Sequence, residues 1–124
     1  MENKIALSNA DYRLLDIVWD AQPVVSPELC RIAEKQLGWK RTTTYTVIKR
    51  LCGKGYLKSE STVVTALIGR EQAQRAEGEQ VLRRNFEGSL PRFVASFLDE
   101  GAVSDEEARE LEKMLEEYRR GRDG

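Results

Sequence analysis

The chain has no histidine, and among its 124 residues it has only two cysteines and three prolines. Without histidine, Ser-His-Asp and Cys-His catalysis are excluded, and the commonest ligand of metal sites is missing. Cys30 and Cys52 stand alone inside apolar-periodic segments, with no CxxC spacing. That arrangement argues against a disulfide framework and leaves no thiolate cluster for zinc or copper within one chain. Both read as buried structural thiols, which places the chain in a reducing, cytoplasmic compartment. No apolar run approaches the roughly 20 residues needed to span a bilayer. Met1-Glu2-Asn3-Lys4 lacks the charged start and apolar stretch of a secretion signal, so no membrane insertion is expected. There is no glycine-rich phosphate loop, and grouped carboxylates such as Glu106, Glu107 and Glu110 fall on a solvated helix face. These absences point away from an enzyme: no catalytic residue, metal ligand or cofactor is assigned.

One further absence is local. Between Lys40 and Lys58 there is no acidic side chain, but there are six cations: Lys40, Arg41, Lys49, Arg50, Lys54 and Lys58. The formal net charge of −1 conceals an asymmetry, because residues 1–60 hold ten Lys/Arg against seven Asp/Glu and residues 61–124 hold ten against fourteen. Opposite signs in the two halves suggest two jobs. The length allows one compact domain, or a small domain with an appendage.

Ser8-Asn9-Ala10-Asp11 predicts a helix start, with Ser8 as cap and Asp11 as its reciprocal partner three residues on. Leu14, Leu15, Val18 and Trp19 recur at helical spacing and should face a core. Gln22-Pro23-Val24-Val25 breaks the helix and gives a short extended piece. Ser26-Pro27-Glu28 predicts a second start, with Ser26 as cap and proline at the first helical position. Leu29, Ile32, Ala33 and Leu37 form its buried stripe, and Gly38 ends it in a left-handed conformation. A third helix runs from about Arg41 to Cys52 and stops at Gly53-Lys54-Gly55. Tyr56–Ser59 and Thr62–Ile68 read as the strands of a hairpin.

Three helices followed by a hairpin is the order of a winged helix-turn-helix domain, in which the second helix of the pair lies in the major groove. If Thr44, Val47, Ile48 and Leu51 face the core, then Lys40, Thr42, Thr43, Tyr45, Thr46, Lys49 and Arg50 project outward. Threonine can hydrogen-bond a base edge and offer its methyl to thymine, while Lys and Arg neutralise phosphates and release counterions.

The C-terminal half reads as helical throughout. A polar helix from Glu71 to about Glu87 carries Val81, Leu82 and Phe86 late, and Gly88-Ser89-Leu90-Pro91 interrupts. Arg92–Leu98 follows as a short, very apolar segment. Ser104-Asp105-Glu106-Glu107 then opens a last helix with Ala108, Leu111, Met114, Leu115 and Tyr118 on one side. The expected fold is mainly α with a small β-hairpin: a winged helix-turn-helix DNA-binding domain over residues 1–70 and a helical dimerisation region over 71–124. Short helices with one apolar stripe are marginal alone and need a partner.

Leu7-Ser8-Asn9-Ala10 with Val18-Trp19, then Trp39 before Thr43-x-x-Thr46, then Arg50-Leu51-x-x-Lys54-Gly55-Tyr56-Leu57, resembles the penicillinase-repressor family (the BlaI/MecI/CopY group). The resemblance continues through Phe86–Leu90 and Phe93–Leu98 to the acidic terminal helix, and so spans nearly the whole chain. It implies a homodimeric bacterial repressor that binds a dyad-symmetric double-stranded operator. The recognition contacts it implies fall on Lys40, Arg41, Thr42, Thr43, Tyr45, Thr46, Lys49 and Arg50, with Lys54 and Lys58 positioned to touch flanking phosphates. Dimerisation is expected through Phe86, Leu90, Phe93, Val94, Phe97, Leu98, Leu111, Met114, Leu115 and Tyr118.

The resemblance also implies derepression by cleavage at Ser96–Phe97, with a membrane sensor-protease as a further partner. Ser96 stands where the family commonly has asparagine. The connection Ser59-Glu60-Ser61 is shorter than the family's basic hairpin tip, and Thr65-Ala66-Leu67 replaces a Tyr-x-Pro-like exit, so the wing should contribute little. The cysteine-rich motif of the copper-responsive branch is absent, and copper sensing is not supported. The competing expectation, motivated by the short wing and near-zero net charge, is a protein-interaction module that retains the scaffold and has lost DNA binding.

Overall fold

In the computed structural model of the protein the described residues are 5–123, so the N-terminal tetrapeptide read above for a secretion signal lies outside the described residues. Six helices and three strands follow in the order α1 (Asn9–Ala21), β1 (Val24–Val25), α2 (Ser26–Leu37), α3 (Arg41–Lys54), β2 (Leu57–Glu60), β3 (Val63–Ala66), α4 (Arg70–Asn85), α5 (Leu90–Asp99) and α6 (Asp105–Asp123). The chain divides into two compact units, Met1–Glu79 and Gln80–Gly124, with the division inside α4. No helix among the described residues is long and apolar enough to cross a membrane.

In the first unit the apolar stripes named from the sequence meet in one core. Leu14, Leu15 and Val18 of α1 are fully buried, as are Leu29 and Ala33 of α2 and Leu51 of α3. Val47 and Ile48 join them, with Leu57 and Val64 from the sheet and Ala73 from the start of α4. The capping box at α1 is present: the Asp11 N–H donates to Ser8 Oγ and the Ser8 N–H to Asp11 Oδ2, both at 3.1 Å. Each satisfies a donor that the first turn would otherwise leave free. Gly38 and Gly55 end α2 and α3 at φ +71° and +86°, a backbone region that suits glycine because it has no Cβ.

Two expectations need correction. Ser26 does not cap α2. Val25 occupies the cap position, with no side-chain cap bond, and Ser26 is the first helical residue, so proline sits one place later. The Ser26 N–H and hydroxyl instead both donate to the Thr62 carbonyl, at 2.8 and 3.2 Å. This ties the start of α2 to the tip of the hairpin. Gly53 likewise does not stop α3, which runs on through Lys54.

The extended piece at Val24-Val25 is a third strand. It pairs antiparallel with β3, giving the order β1-β3-β2, with Val24 opposite Val64 and Leu57 opposite Ala66. The hairpin is tight: Glu60 pairs with Val63, and Ser61 and Thr62 make the turn at φ +50° and +66°. Both signs match a primed hairpin turn, which normally takes Asn or Gly.

The second unit comprises the end of α4 with α5 and α6. Ser89 caps α5 by accepting from the Arg92 N–H. Ser104 and Glu107 form a capping box at α6, with the Glu107 N–H donating to Ser104 Oγ at 3.1 Å and the Ser104 N–H to Glu107 Oε1 at 3.2 Å. Phe86 meets Phe93 edge-on at 5.2 Å, and Phe93 meets Phe97 at 5.1 Å.

Candidate nucleic-acid interface

α3 starts cleanly because Lys40 has extended backbone and Thr44 is buried, its hydroxyl donating to the Lys40 carbonyl at 3.5 Å. With Thr44, Val47, Ile48 and Leu51 turned into the core, the helical period forces the intervening residues outward. Lys40, Arg41, Thr42, Thr43, Tyr45, Thr46, Lys49 and Arg50 are all exposed. Arg41 lies over the Tyr45 ring, 6.0 Å from its centroid, which stiffens both side chains on the outer face. The Thr46 hydroxyl donates to the Thr42 carbonyl at 2.9 Å; with its proton committed to its own helix, that oxygen is left as an acceptor. Lys40, Arg41 and Lys49 form no ion pair among the described residues.

The other cations of the stretch are engaged. Arg50 reaches Asp11 Oδ1 through Nε at 2.9 Å and Nη2 at 2.7 Å, and Lys54 Nζ reaches Asp11 Oδ2 at 2.8 Å. Lys54 also donates to the Ala6 carbonyl at 3.2 Å. Asp11 is fully buried. Burial pushes its carboxyl upward, but hydrogen bonds from Lys54, the Ser8 N–H and Arg50, with the Lys54 charge, outweigh that and hold it below the usual value. Lys58 faces Glu60 at 3.4 Å, both exposed, a surface pair of little energetic weight. Sequence reasoning missed the role of Asp11 toward α3. The capping box showed where its carboxylate would sit, but nothing local showed which cations would fold onto it.

A second clamp fixes the entry into α4. Arg70 bonds the Asp20 carboxylate at 2.9 Å and the Asp16 carboxylate at 3.3 Å, and its guanidinium lies 5.2 Å from the centre of the Trp19 ring. The Trp19 indole N–H donates to the Ile68 carbonyl at 2.9 Å. Burial pushes both the Cys30 and Cys52 thiols up, and at Cys30 this exceeds the opposing pull of Tyr45 and Arg41. Neither thiol is a ready nucleophile. Among the described residues no group of His, Cys, Asp or Glu side chains could hold a metal ion.

In the second unit the residues expected to pair are strongly apolar and largely uncovered. Leu90, Phe97, Leu98, Leu111, Met114, Leu115 and Tyr118 are 40–63% exposed, and Phe86, Phe93 and Val94 are half-buried. Phe93, Phe97, Val103, Leu111 and Met114 line an open groove of about 470 Å³. Ser96 and Phe97 lie inside α5, where the Ser96 hydroxyl donates to the Phe93 carbonyl at 2.7 Å.

Three packed helices, an outward basic face on the third, and a small antiparallel sheet closed by a two-residue turn define a winged helix-turn-helix protein. The sequence matches the family described as penicillinase repressor over residues 7–117, and the chain belongs to that family. It is 26% identical over 117 residues to the penicillinase repressor of Bacillus licheniformis, covering 91% of each chain. It is 22% identical over 120 residues to the methicillin resistance regulatory protein MecI of Staphylococcus aureus, covering 93% of this chain and 98% of that one. A solution structure of the DNA binding domain of the repressor BlaI is similar with a TM-score of 0.49 and 24% identity, over 58% of this chain and 93% of that one.

Proposed function

We propose that the protein is a transcriptional repressor that binds a dyad-symmetric DNA operator as a homodimer through the exposed face of α3. One observation carries this reading: the outward side of α3 holds Lys40, Arg41 and Lys49 without acidic partners among the described residues, interleaved with Thr42, Thr43, Tyr45 and Thr46. Cations on such a face neutralise phosphates, and threonine and tyrosine hydroxyls read base edges. Membership of a family named for repressors supports the same reading. The tight hairpin, with Glu60 beside its turn, leaves most of the work to the helix.

The homodimer follows from the uncovered apolar side chains of α5 and α6, which water would otherwise solvate unfavourably. Joining two winged units gains effective concentration on a two-site operator, commonly 10²–10⁴-fold on the order of magnitude. The half-sites should lie about one helical turn, roughly 34–36 Å, or a multiple of it apart. Release by proteolysis at Ser96–Phe97 belongs to the same proposal. A cut inside α5 would divide the segment that carries Phe93 from Leu98, and the dimer would come apart. Such a cut requires a protease, and the family resemblance points to a membrane sensor-protease as that partner.

Lys49→Glu tests the reading. The variant should lose the mobility shift on the DNA upstream of its own gene by about a hundredfold or more, as a like charge replaces a phosphate contact. Its sedimentation should stay that of the native oligomer. Native-like affinity in this variant would instead favour a protein-interaction module on the same scaffold.

A further inference from the structure

The basic stretch is electrostatically divided, and a single buried carboxylate divides it. Asp11 is held in place by its own helix through the reciprocal bonds with Ser8. Its two oxygens are then fully used: Oδ1 accepts twice from Arg50, and Oδ2 accepts from Lys54 and from the Ser8 N–H. Arg50 and Lys54 stand one turn apart on α3, so the carboxylate bridges two successive turns of that helix. A bridge at two points resists both rotation and sliding of α3 against α1, which a single contact would not. Lys54 is anchored a further time, to the Ala6 carbonyl.

The same bonds set the fate of the two charges. A phosphate that drew Arg50 or Lys54 away from Asp11 would strip partners from a fully buried anion, and an unpaired buried charge is strongly unfavourable. Lys40, Arg41 and Lys49 carry no such restraint among the described residues.

We propose that Asp11 is a specificity-determining positioning residue: it withholds Arg50 and Lys54 from the nucleic-acid backbone and fixes the setting of α3, so that the interface reads sequence with few phosphate contacts. The inference rests on the DNA-binding reading above. Free cations strengthen binding to every sequence equally, whereas a fixed helix favours only the matching one. Withholding two of them therefore lowers non-specific affinity while keeping the base-reading side chains in register.

The test is a salt titration of binding to two duplexes of equal length, the DNA upstream of the gene and a mixed-sequence control. Freeing both cations in each protomer of the dimer by Asp11→Asn should steepen the log K against log[salt] slope on the control by about 2–4 units. It should also lower the preference for the upstream duplex by about tenfold, the order of one mismatched base pair. Asp11→Glu, which restores the charge, should return both toward native. Equal weakening on both duplexes with an unchanged slope would mean a purely structural role and would overturn the inference.

A second comparison does not depend on the folding of an Asp11 variant. Lys54→Gln should change the slope by less than half as much as Lys49→Gln does; equal changes would place Lys54 on a phosphate and overturn the inference alone. A native protein that binds neither duplex in a salt-dependent way would instead remove the DNA-binding reading on which the inference stands.

Discussion

The two units of the chain treat apolar side chains in opposite ways. Through Ala73, the large aliphatic residues at helical and strand spacing close into one core, with Leu14, Leu15, Val18, Leu29, Leu51 and Val64 at or near zero exposure. From Gln80 onward no hydrophobic side chain among the described residues reaches that state. Yet α5 is the most apolar helix of the chain, and α6, at 19 residues, sets Leu111, Met114, Leu115 and Tyr118 in the open. The first unit therefore has a complete core and can spend its surface on polar recognition. The second leaves its larger apolar side chains largely uncovered, and the proposed homodimer is what would complete it.

Three substitutions probe that contrast. The largest effect is expected from Phe97→Glu, which puts a charge in the uncovered face of α5. Dimer dissociation measured by sedimentation equilibrium should strengthen markedly and operator affinity should fall by about 10²–10⁴-fold, while the melting of the first unit stays unchanged. Next comes Leu51→Ala. Truncating a fully buried leucine should cost the first unit about 2–5 kcal/mol in a denaturant melt, with the dimer contact retained. The same truncation at Leu115, 63% exposed, should leave the unfolding of the isolated chain nearly unaffected and weaken only its association.

The smallest effect concerns acid. Asp11 titrates below its ordinary value in the folded protein, so the stability it contributes is fully present above an unfolded carboxyl value of about 3.9. It is lost as pH falls below that value through the lowered folded one. Thermal melts between about pH 5 and pH 2 should show a native loss that Asp11→Asn lacks. Parallel curves for the two proteins would contradict the buried pairing.

What could be read from the sequence was local, and what escaped it was not. The α1 capping box, the glycine ends of α2 and α3, and the inward face of α3 each depend on residues within a turn or two of each other. The apolar stripes of α5 and α6 are legible for the same reason, since each is set by residues within a turn or two of each other. Ser26 was misread because a serine before proline fits the capping pattern, whereas its bond to the Thr62 carbonyl spans 36 positions. Val24-Val25 reads as a short extended piece between helices, and only pairing with β3 makes it a strand. The engagement of Arg50 and Lys54 by Asp11 spans 39 and 43 positions. A count of cations along the chain cannot show which of them an acid brought close by the fold will engage.

The most direct measurement is the salt dependence of operator binding by the native protein. If Lys40, Arg41 and Lys49 are the phosphate contacts of each protomer, log K should fall against log[salt] with a slope near −5 for the dimer, at roughly 0.9 per phosphate. A slope near −9 would show Arg50 and Lys54 on the backbone as well. Binding insensitive to salt, or none at all, would contradict the assignment of α3 as a nucleic-acid interface.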